Sequence, residues 1–249
     1  MIVLYAATRN LYRHLPAAIR SLVATNDVEK IIILAEDDAL PGDLELPDCV
    51  DVRNVVPQRD LLFDKEGPNF RGWFSWQALL RVAYPLILPD IDKVLSLDVD
   101  TIVCEDITPI WETDLTGKWF AMVKEKEIPM VRRGTYRPPH SSYCNCGVCL
   151  MNLKQLREDG IAPKFIRVAN TVQMDYIEQD IFNHYGWGRG KIVALPRRYN
   201  ECIGCGYTDD PAIVHFAGVM NKWEYGDDFF RHEYLEKWQR DADFGPEFA

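Results

Sequence analysis

Apolar residues along this chain fall into two repeating patterns. Unbroken or alternating runs of aliphatic and β-branched residues mark strands, and returns every three to four residues mark helices. The first run, "IVLYAA" (2–7), predicts a strand. "LPAAIRSLVATN" (15–26) follows, with Leu15, Ile19, Leu22 and Val23 at helical spacing. "KIIILAED" (30–37) predicts a second strand. "FSWQALLRVAYPLIL" (74–88) predicts a helix that stops at Tyr84, because Pro85 cannot donate the next backbone hydrogen bond. "DKVLSLDVDTIV" (92–103) predicts a further strand.

Beyond residue 104 the texture changes. "WFAMVK" (119–124), "GVCLMNL" (147–153) and "KIVALP" (191–196) predict strands. "NLKQLRED" (152–159), "APKFIRVANTV" (162–172) and "EQDIFNHY" (178–185) predict helices, and "DDFFRHEYLEKWQR" (227–240) a packed terminal helix. Strands alternating with helices imply an α/β fold with a mostly parallel sheet covered on both faces. No repeat, low-complexity tract or linker interrupts the chain. One domain is expected over residues 1–249, with a nucleotide-type half up to about residue 103 and a second half from about 104 to 249.

Composition narrows the function. Apolar residues make up 47% of the 249, enough for a sizeable core. A formal net charge of -10 disfavours nucleic acid and anionic membrane surfaces as partners. No apolar run approaches the roughly 18–20 residues of a membrane span. The first residues, "MIVLYAATRN", form a strand at once, without a basic leader, so a cytoplasmic protein is expected. The seven cysteines are odd in number, which argues against a disulfide framework. "CNCGVC" (144–149) and "CIGC" (202–205) have spacings that soft metals accept, but their apolar setting favours cysteine as a small hydrophobe.

Asp98 and Asp100 then stand out, because they interrupt an apolar run. An unpaired buried carboxylate is costly. If the strand continues, both side chains face one way; if it ends there, both lie at its C-terminal edge, where α/β sheets bind ligands. A hard divalent ion between them would relieve their repulsion. The bland alternative is that both cap the turn into "CEDITPIW". If repulsion dominates, Asp98→Asn should leave the fold intact and even stabilise the ion-free protein. A second signal is "IVHFAGVMNKW" (213–223). His215 ends a strand-like stretch and would suit Mn²⁺ better than Mg²⁺, Gly218 would let backbone approach a phosphate, and Lys222 would bring positive charge. A histidine satisfied within the core is the competing reading.

"KVLSLDVDTIV", "YCNCGVCLMNL", "EQDIFN" and "VHFAGVMNKW", in that order, resemble the family 8 retaining glycosyltransferases, the group of glycogenin and the bacterial lipooligosaccharide galactosyltransferases. "LYAATRNLYRHLPAAIRSL" resembles that family's opening strand, loop and helix, and "FSWQALLRVAYPLILPDIDKVL" the helix before its metal strand. The likeness covers residues 1–223. It implies a glycosyltransferase A fold, a Rossmann-like mixed sheet with helices on both faces. It also implies a UDP-sugar donor carrying glucose or galactose, a divalent ion (Mn²⁺, with Mg²⁺ as the alternative) and a glycan, protein or small-molecule acceptor.

The resemblance further implies roles for individual residues. Asp98, Asp100 and His215 would bind the ion. Ala7, Thr8, Arg9, Tyr12 and Val99 would line the nucleotide, and Arg81, Gly218 and Lys222 the phosphates or sugar. Asn145 would contact the donor, and Glu125 would replace a family aspartate facing the sugar. Gln179 would lie beside the anomeric carbon, with Glu178 on sugar hydroxyls. The chain departs from the family at Thr8 and Arg9, where an acid often reads the uracil. There Thr8 would contact the base and Tyr12 would stack on it, with Leu11 as the competing match. Cys146 replaces a small residue, and Lys222–Trp223 lacks the usual proline.

Structural readings compete at several of these positions. Arg81 could be a surface helix charge. Asn145 and Gln179 could be amides satisfied by backbone. Asp180 suits a cap of the helix "IFNHY". Trp73, Phe74 and Trp76 fit a sugar-stacking platform and a core cluster equally well. Two other functions remain. A sugar-phosphate nucleotidyltransferase would normally carry a glycine-rich loop near its start, and "AATRNLYRH" has no glycine. A non-catalytic nucleotide-sugar-binding module would have little use for an intact Asp98–Asp100–His215 set.

Overall fold

The computed structural model describes residues 1–70, 76–126 and 142–217. The chain opens with β1 (Ile2–Ala6), passes a 3₁₀ turn (Arg9–His14) and enters α1 (Leu15–Thr25). Then come β2 (Lys30–Ala35), β3 (Val50–Asn54), α2 (Val56–Leu62) and α3 (Gln77–Ile87). β4 (Lys93–Leu97), β5 (Thr101–Val103), α4 (Thr108–Trp111) and β6 (Phe120–Lys124) follow. β7 (Cys144–Asn152) leads into α5 (Leu153–Glu158), α6 (Ala162–Thr171) and α7 (Ile177–Trp187). β8 (Ile192–Leu195), a short turn (Arg197–Tyr199) and β9 (Ile213–His215) complete it.

Seven strands form one mixed sheet in the order β3-β2-β1-β4-β7-β6-β8. The first four run parallel; β7 is antiparallel to both β4 and β6, and β8 is parallel to β6. Alternate side chains point to opposite faces and build two cores. Val3, Tyr5, Ile31, Ile33, Leu95 and Leu97 pack against Leu15, Ile19 and Leu22 of α1. Leu4, Ile32, Val94, Phe120 and Met151 pack on the other face against α3, α6 and α7, through residues such as Leu80, Phe165 and Phe182. The expected sheet with helices on both faces is therefore present.

Two boundaries differ from expectation. The helix predicted to stop at Tyr84 runs through Pro85 to Ile87. The proline removes only one bond near the C-terminal end, the Leu88 N–H still reaches Tyr84 O at 3.0 Å, and burial of Leu80, Ala83, Tyr84 and Leu88 outweighs the loss. The strand predicted across 92–103 breaks after Leu97 and resumes at Thr101. Asp98 N–H turns to Gly147 O (2.8 Å) and the Thr101 hydroxyl bonds Asp98 O (2.8 Å), so neither aspartate lies in a ladder.

β5 leaves the main sheet and pairs antiparallel with β9, with Thr101 opposite His215. Between β6 and β7 the register jumps: Met122 faces Cys149, but Val123 faces Asn145. Cys146, Gly147 and Val148 therefore bulge away from β6, and the polar backbone of Cys146 and Gly147 is free for other partners. Cys144, Cys146 and Cys149 are buried, and all seven cysteines are free thiols. No described helix is long and apolar enough to cross a membrane.

Candidate active site

The C-terminal ends of β1 and β4, the bulge of β7 and the first turn of α7 meet at one edge of the main sheet. Asp98, in the turn that closes β4, and Asp100, just before β5, converge there with His215 at the end of β9. His215 Nε2 stands 3.3 Å from Asp100 Oδ1 and 3.5 Å from Asp98 Oδ2. One ligand atom from each of the three lies within 4.8 Å of the others. Ligands ~2.1 Å from a shared ion lie at most ~4.2 Å apart, so modest rotation of the carboxylates would close the set. Two carboxylate oxygens and one imidazole form a mixed hard and borderline set that fits Mn²⁺.

The β5–β9 pairing assembles this cluster. Thr101 pairs with His215, and Phe216 N–H donates to Asp100 O at 2.9 Å. Gly147 provides the floor under the imidazole. A Cβ at that position would come within 2.0 Å of His215 Cε1, so only glycine leaves room for the ring.

Arg81 reaches in from α3 and is nearly fully buried. Its guanidinium bonds Asp98 Oδ1, Cys146 O (3.0 Å) and Glu178 Oε1 (3.3 Å). It is an internal tie between β4, β7 and α7 rather than a surface charge. Burial pushes the Glu178 carboxyl up to about 7, against the opposing pull of Arg81. Burial likewise pushes the Cys146 thiol well up.

Beside this tie runs a chain of amides. Gln179 accepts the Cys146 N–H at Oε1 (3.0 Å) and donates from Nε2 to Glu125 Oε1 (3.1 Å). Asn145 Nδ2 approaches the same Glu125 oxygen at 3.4 Å. Asn145 Oδ1 accepts from Gly147 N–H (2.9 Å) and Asn200 Nδ2 (2.9 Å), and Asn200 Oδ1 lies 2.9 Å from His215 Nδ1. Asp180 sits inside the first turn of α7, not at its cap, and reaches back to Tyr176 N–H (3.0 Å) and the Tyr143 hydroxyl (2.7 Å). These bonds tie α7 to Tyr143 and Tyr176, and the expected cap of "IFNHY" is corrected, because α7 already begins at Ile177.

The loop after β1 emerges from the same edge, beside β4. Ala7 N–H bonds Leu34 O (2.9 Å), and the Thr8 hydroxyl donates to Asn10 Oδ1. Arg9 is exposed, with its backbone N–H on Glu36 (2.8 Å) and its guanidinium on Asp37 (2.9 Å). The Tyr12 ring is buried in the core; its hydroxyl donates to Asp37 (3.1 Å) and accepts from Glu36 N–H (2.9 Å). Leu11 is half-buried and Val99 buried. Trp76 packs at the core margin with the Arg59 guanidinium 4.9 Å over its ring. Trp73, Phe74, Gly218, Lys222 and the terminal helix expected over 227–240 lie outside the described residues.

Sequence reasoning passed over Asn200, the acids Glu36 and Asp37, and the steric role of Gly147. Glu36 and Asp37 were readable as acids at the end of a strand-like run; no local pattern marks Asn200.

The model of the family described as glycosyl transferase family 8 matches residues 3–226. Among solved structures, the galactosyltransferase LgtC in complex with donor and acceptor sugar analogues aligns with a TM-score of 0.71 at 21% identity, over 99% of this chain and 98% of that one. The bifunctional glycosyltransferase WbbM aligns at 0.74 and 19% identity, over 99% of this chain and 50% of that one. The glycosyltransferase GlyE of Streptococcus pneumoniae aligns at 0.66 and 21% identity, over 98% and 60%. At such identities the likeness is one of fold, the glycosyltransferase A fold. No curated protein matches the chain significantly.

Proposed function

This chain belongs to glycosyl transferase family 8, and from that premise we propose that it moves a hexose, glucose ahead of galactose, from a UDP-sugar to an acceptor with retention, using a divalent ion held by Asp98, Asp100 and His215. Family membership makes it a glycosyltransferase, which sets aside the nucleotidyltransferase and the non-catalytic module. The acceptor is a glycan, a protein or a small molecule. The observation that carries the proposal is the convergence of the Asp98–Asp100–His215 cluster with Gln179, Glu178 and Arg81 at one sheet edge.

When bound, the ion would neutralise the charge that grows on the departing diphosphate. The residues supply the rest. Arg81 orients Asp98 by holding its Oδ1 and brings positive charge near the phosphates or sugar. Gln179 Oε1 spends one lone pair on Cys146 N–H and keeps a second for the positive charge that develops at the anomeric carbon. Glu125 anchors the amide ends of Gln179 and Asn145 and faces the sugar with them. Glu178, buried beside Arg81, serves the sugar hydroxyls. Ala7, Thr8, Arg9, Tyr12 and Val99 form the nucleotide end, with Gly218 and Lys222 on the diphosphate. Retention is reached by same-face attack of the acceptor or by a double displacement.

A panel of nucleotide-sugars, with and without Mn²⁺, read by thermal shift and by hydrolysis, tests this. UDP-glucose or UDP-galactose should stabilise the protein in the presence of Mn²⁺. Stronger stabilisation by a GDP- or TDP-sugar would overturn the donor assignment, and equal effects with and without Mn²⁺ would overturn the ion.

A further inference from the structure

The hydrogen bonds around His215 have a direction that can be read from one fixed donor. A backbone N–H can only donate. Gly147 N–H donates to Asn145 Oδ1 at 2.9 Å, which settles which end of that amide is oxygen. Asn200 meets the same oxygen at 2.9 Å, so it must offer its NH₂ there. Its own oxygen then faces His215 Nδ1 at 2.9 Å. An amide oxygen only accepts, so Nδ1 must carry a proton. That leaves Nε2, the nitrogen beside Asp98 and Asp100, with its lone pair toward them in the neutral ring.

We propose that Asn200 is a positioning residue: its side-chain oxygen fixes His215 as the Nδ1–H tautomer and so commits Nε2 to the divalent ion. The proposal rests on the reading of Asp98, Asp100 and His215 as an ion site. Asn200 and His215 are both buried, and the ring lies against the bare backbone of Gly147. The same amide also pins Asn145, whose NH₂ points to Glu125, so one side chain orients both the ion ligand and a sugar-facing amide.

Two substitutions separate the functions of the Asn200 amide. Asn200→Leu keeps the bulk and removes the acceptor. Asn200→Asp keeps an acceptor for Nδ1–H but loses the NH₂ that holds Asn145. Mn²⁺ affinity is measured with MnCl₂ alone, by the loss of the free-ion paramagnetic resonance signal. The tautomer is read from long-range proton–nitrogen spectra of ¹⁵N-histidine-labelled, metal-free protein at alkaline pH, with His215 assigned through His215→Gln. The wild type should show Nδ1 protonated and Nε2 bare. Asn200→Leu should lose that preference and about tenfold or more in Mn²⁺ affinity. Asn200→Asp should keep the tautomer and bind Mn²⁺ as tightly as the wild type or tighter, while melting lower because its carboxylate faces Asn145 Oδ1. An Nε2–H tautomer in the wild type overturns the proposal, as does equal loss of Mn²⁺ affinity in both variants or none in Asn200→Leu. If Asn200→Leu does not fold, the wild-type spectrum and the Asn200→Asp variant decide. A wild type that binds no Mn²⁺ sinks the ion site itself, while the tautomer still reports on Asn200 separately.

Discussion

The Asp98 carboxylate is engaged at both oxygens: Oδ1 is bonded to the Arg81 guanidinium, and Oδ2 faces His215 Nε2 at 3.5 Å. Asp98 is thus not a lone charge repelling Asp100, and the stabilisation first expected of Asp98→Asn does not follow. That substitution instead takes from Arg81 one of its two carboxylates. Asp98→Asn should lower the stability of ion-free protein by about 1–3 kcal/mol, and Asp100→Asn by less. Both should abolish Mn²⁺-dependent transfer. Urea unfolding in chelator, alongside donor turnover, checks this; an ion-free Asp98→Asn protein more stable than wild type would refute it.

Arg81→Leu should be more severe. It leaves Asp98 and Glu178 without the buried cation between them, and breaking such a pair from one side costs roughly 3–5 kcal/mol. The urea midpoint should fall with little change in slope. An unchanged midpoint would mean that Arg81 contributes no net stability.

Gly147→Ala should drive the imidazole off its floor, since the added carbon would meet His215 Cε1 at 2.0 Å. Overpacking of this kind costs about 1–3 kcal/mol, and Mn²⁺ affinity should drop with it. Gly42→Ala, where nothing lies within 4 Å, is the control and should leave Mn²⁺ affinity unchanged. Normal Mn²⁺ binding by Gly147→Ala would show that the ring has room elsewhere.

Glu178 should make stability fall with rising pH. Burial raises its carboxyl from 4.5 to about 7, so the fold holds the proton more tightly than the unfolded chain does. Its stabilising contribution is complete below about pH 4.5 and is lost as pH rises through about 7. Glu178→Gln should remove that slope, changing the wild-type-minus-variant difference by up to about 3 kcal/mol between these limits. Chemical denaturation in chelator at a series of pH values measures it; parallel profiles would rule the burial effect out.

Gln179→Ala should slow turnover far more than it weakens binding of uridine diphosphate, because the amide oxygen acts on charge present only in the transition state. Calorimetry with the nucleotide and steady-state rates separate the two. Lost nucleotide affinity with turnover preserved would reassign the residue.

Sequence pattern located the parts of this site better than it explained their assembly. β1, β2 and β4 announced themselves because each is buried on both faces and reads as a continuous apolar run. Asp98, Asp100 and His215 were visible as polar residues at the ends of such runs. The pairing that brings them together was not, since β5 and β9 have three residues each and no periodicity can be seen in so few. β3 and α2 were missed for a related reason: neither has a fully buried residue, so neither carries a strong apolar repeat. Pro85 misled because the rule against proline applies to a helix interior, and here it falls in the last turn. Asn200 has its meaning only through His215 and Asn145, partners distant in the chain.

The pairing of β5 with β9 also fixes an order of events during synthesis. The two aspartates leave the ribosome more than a hundred residues ahead of the imidazole that would complete their ligand set, which follows every described strand of the main sheet. Contacts between such distant segments close late, because the intervening loop must be ordered first. The nascent chain therefore carries an acidic pair without its histidine while the 114 residues between Asp100 and His215 are added. Capture of an ion through all three ligands would then be a late act of maturation, open only to a polypeptide whose described sheet strands have all been made.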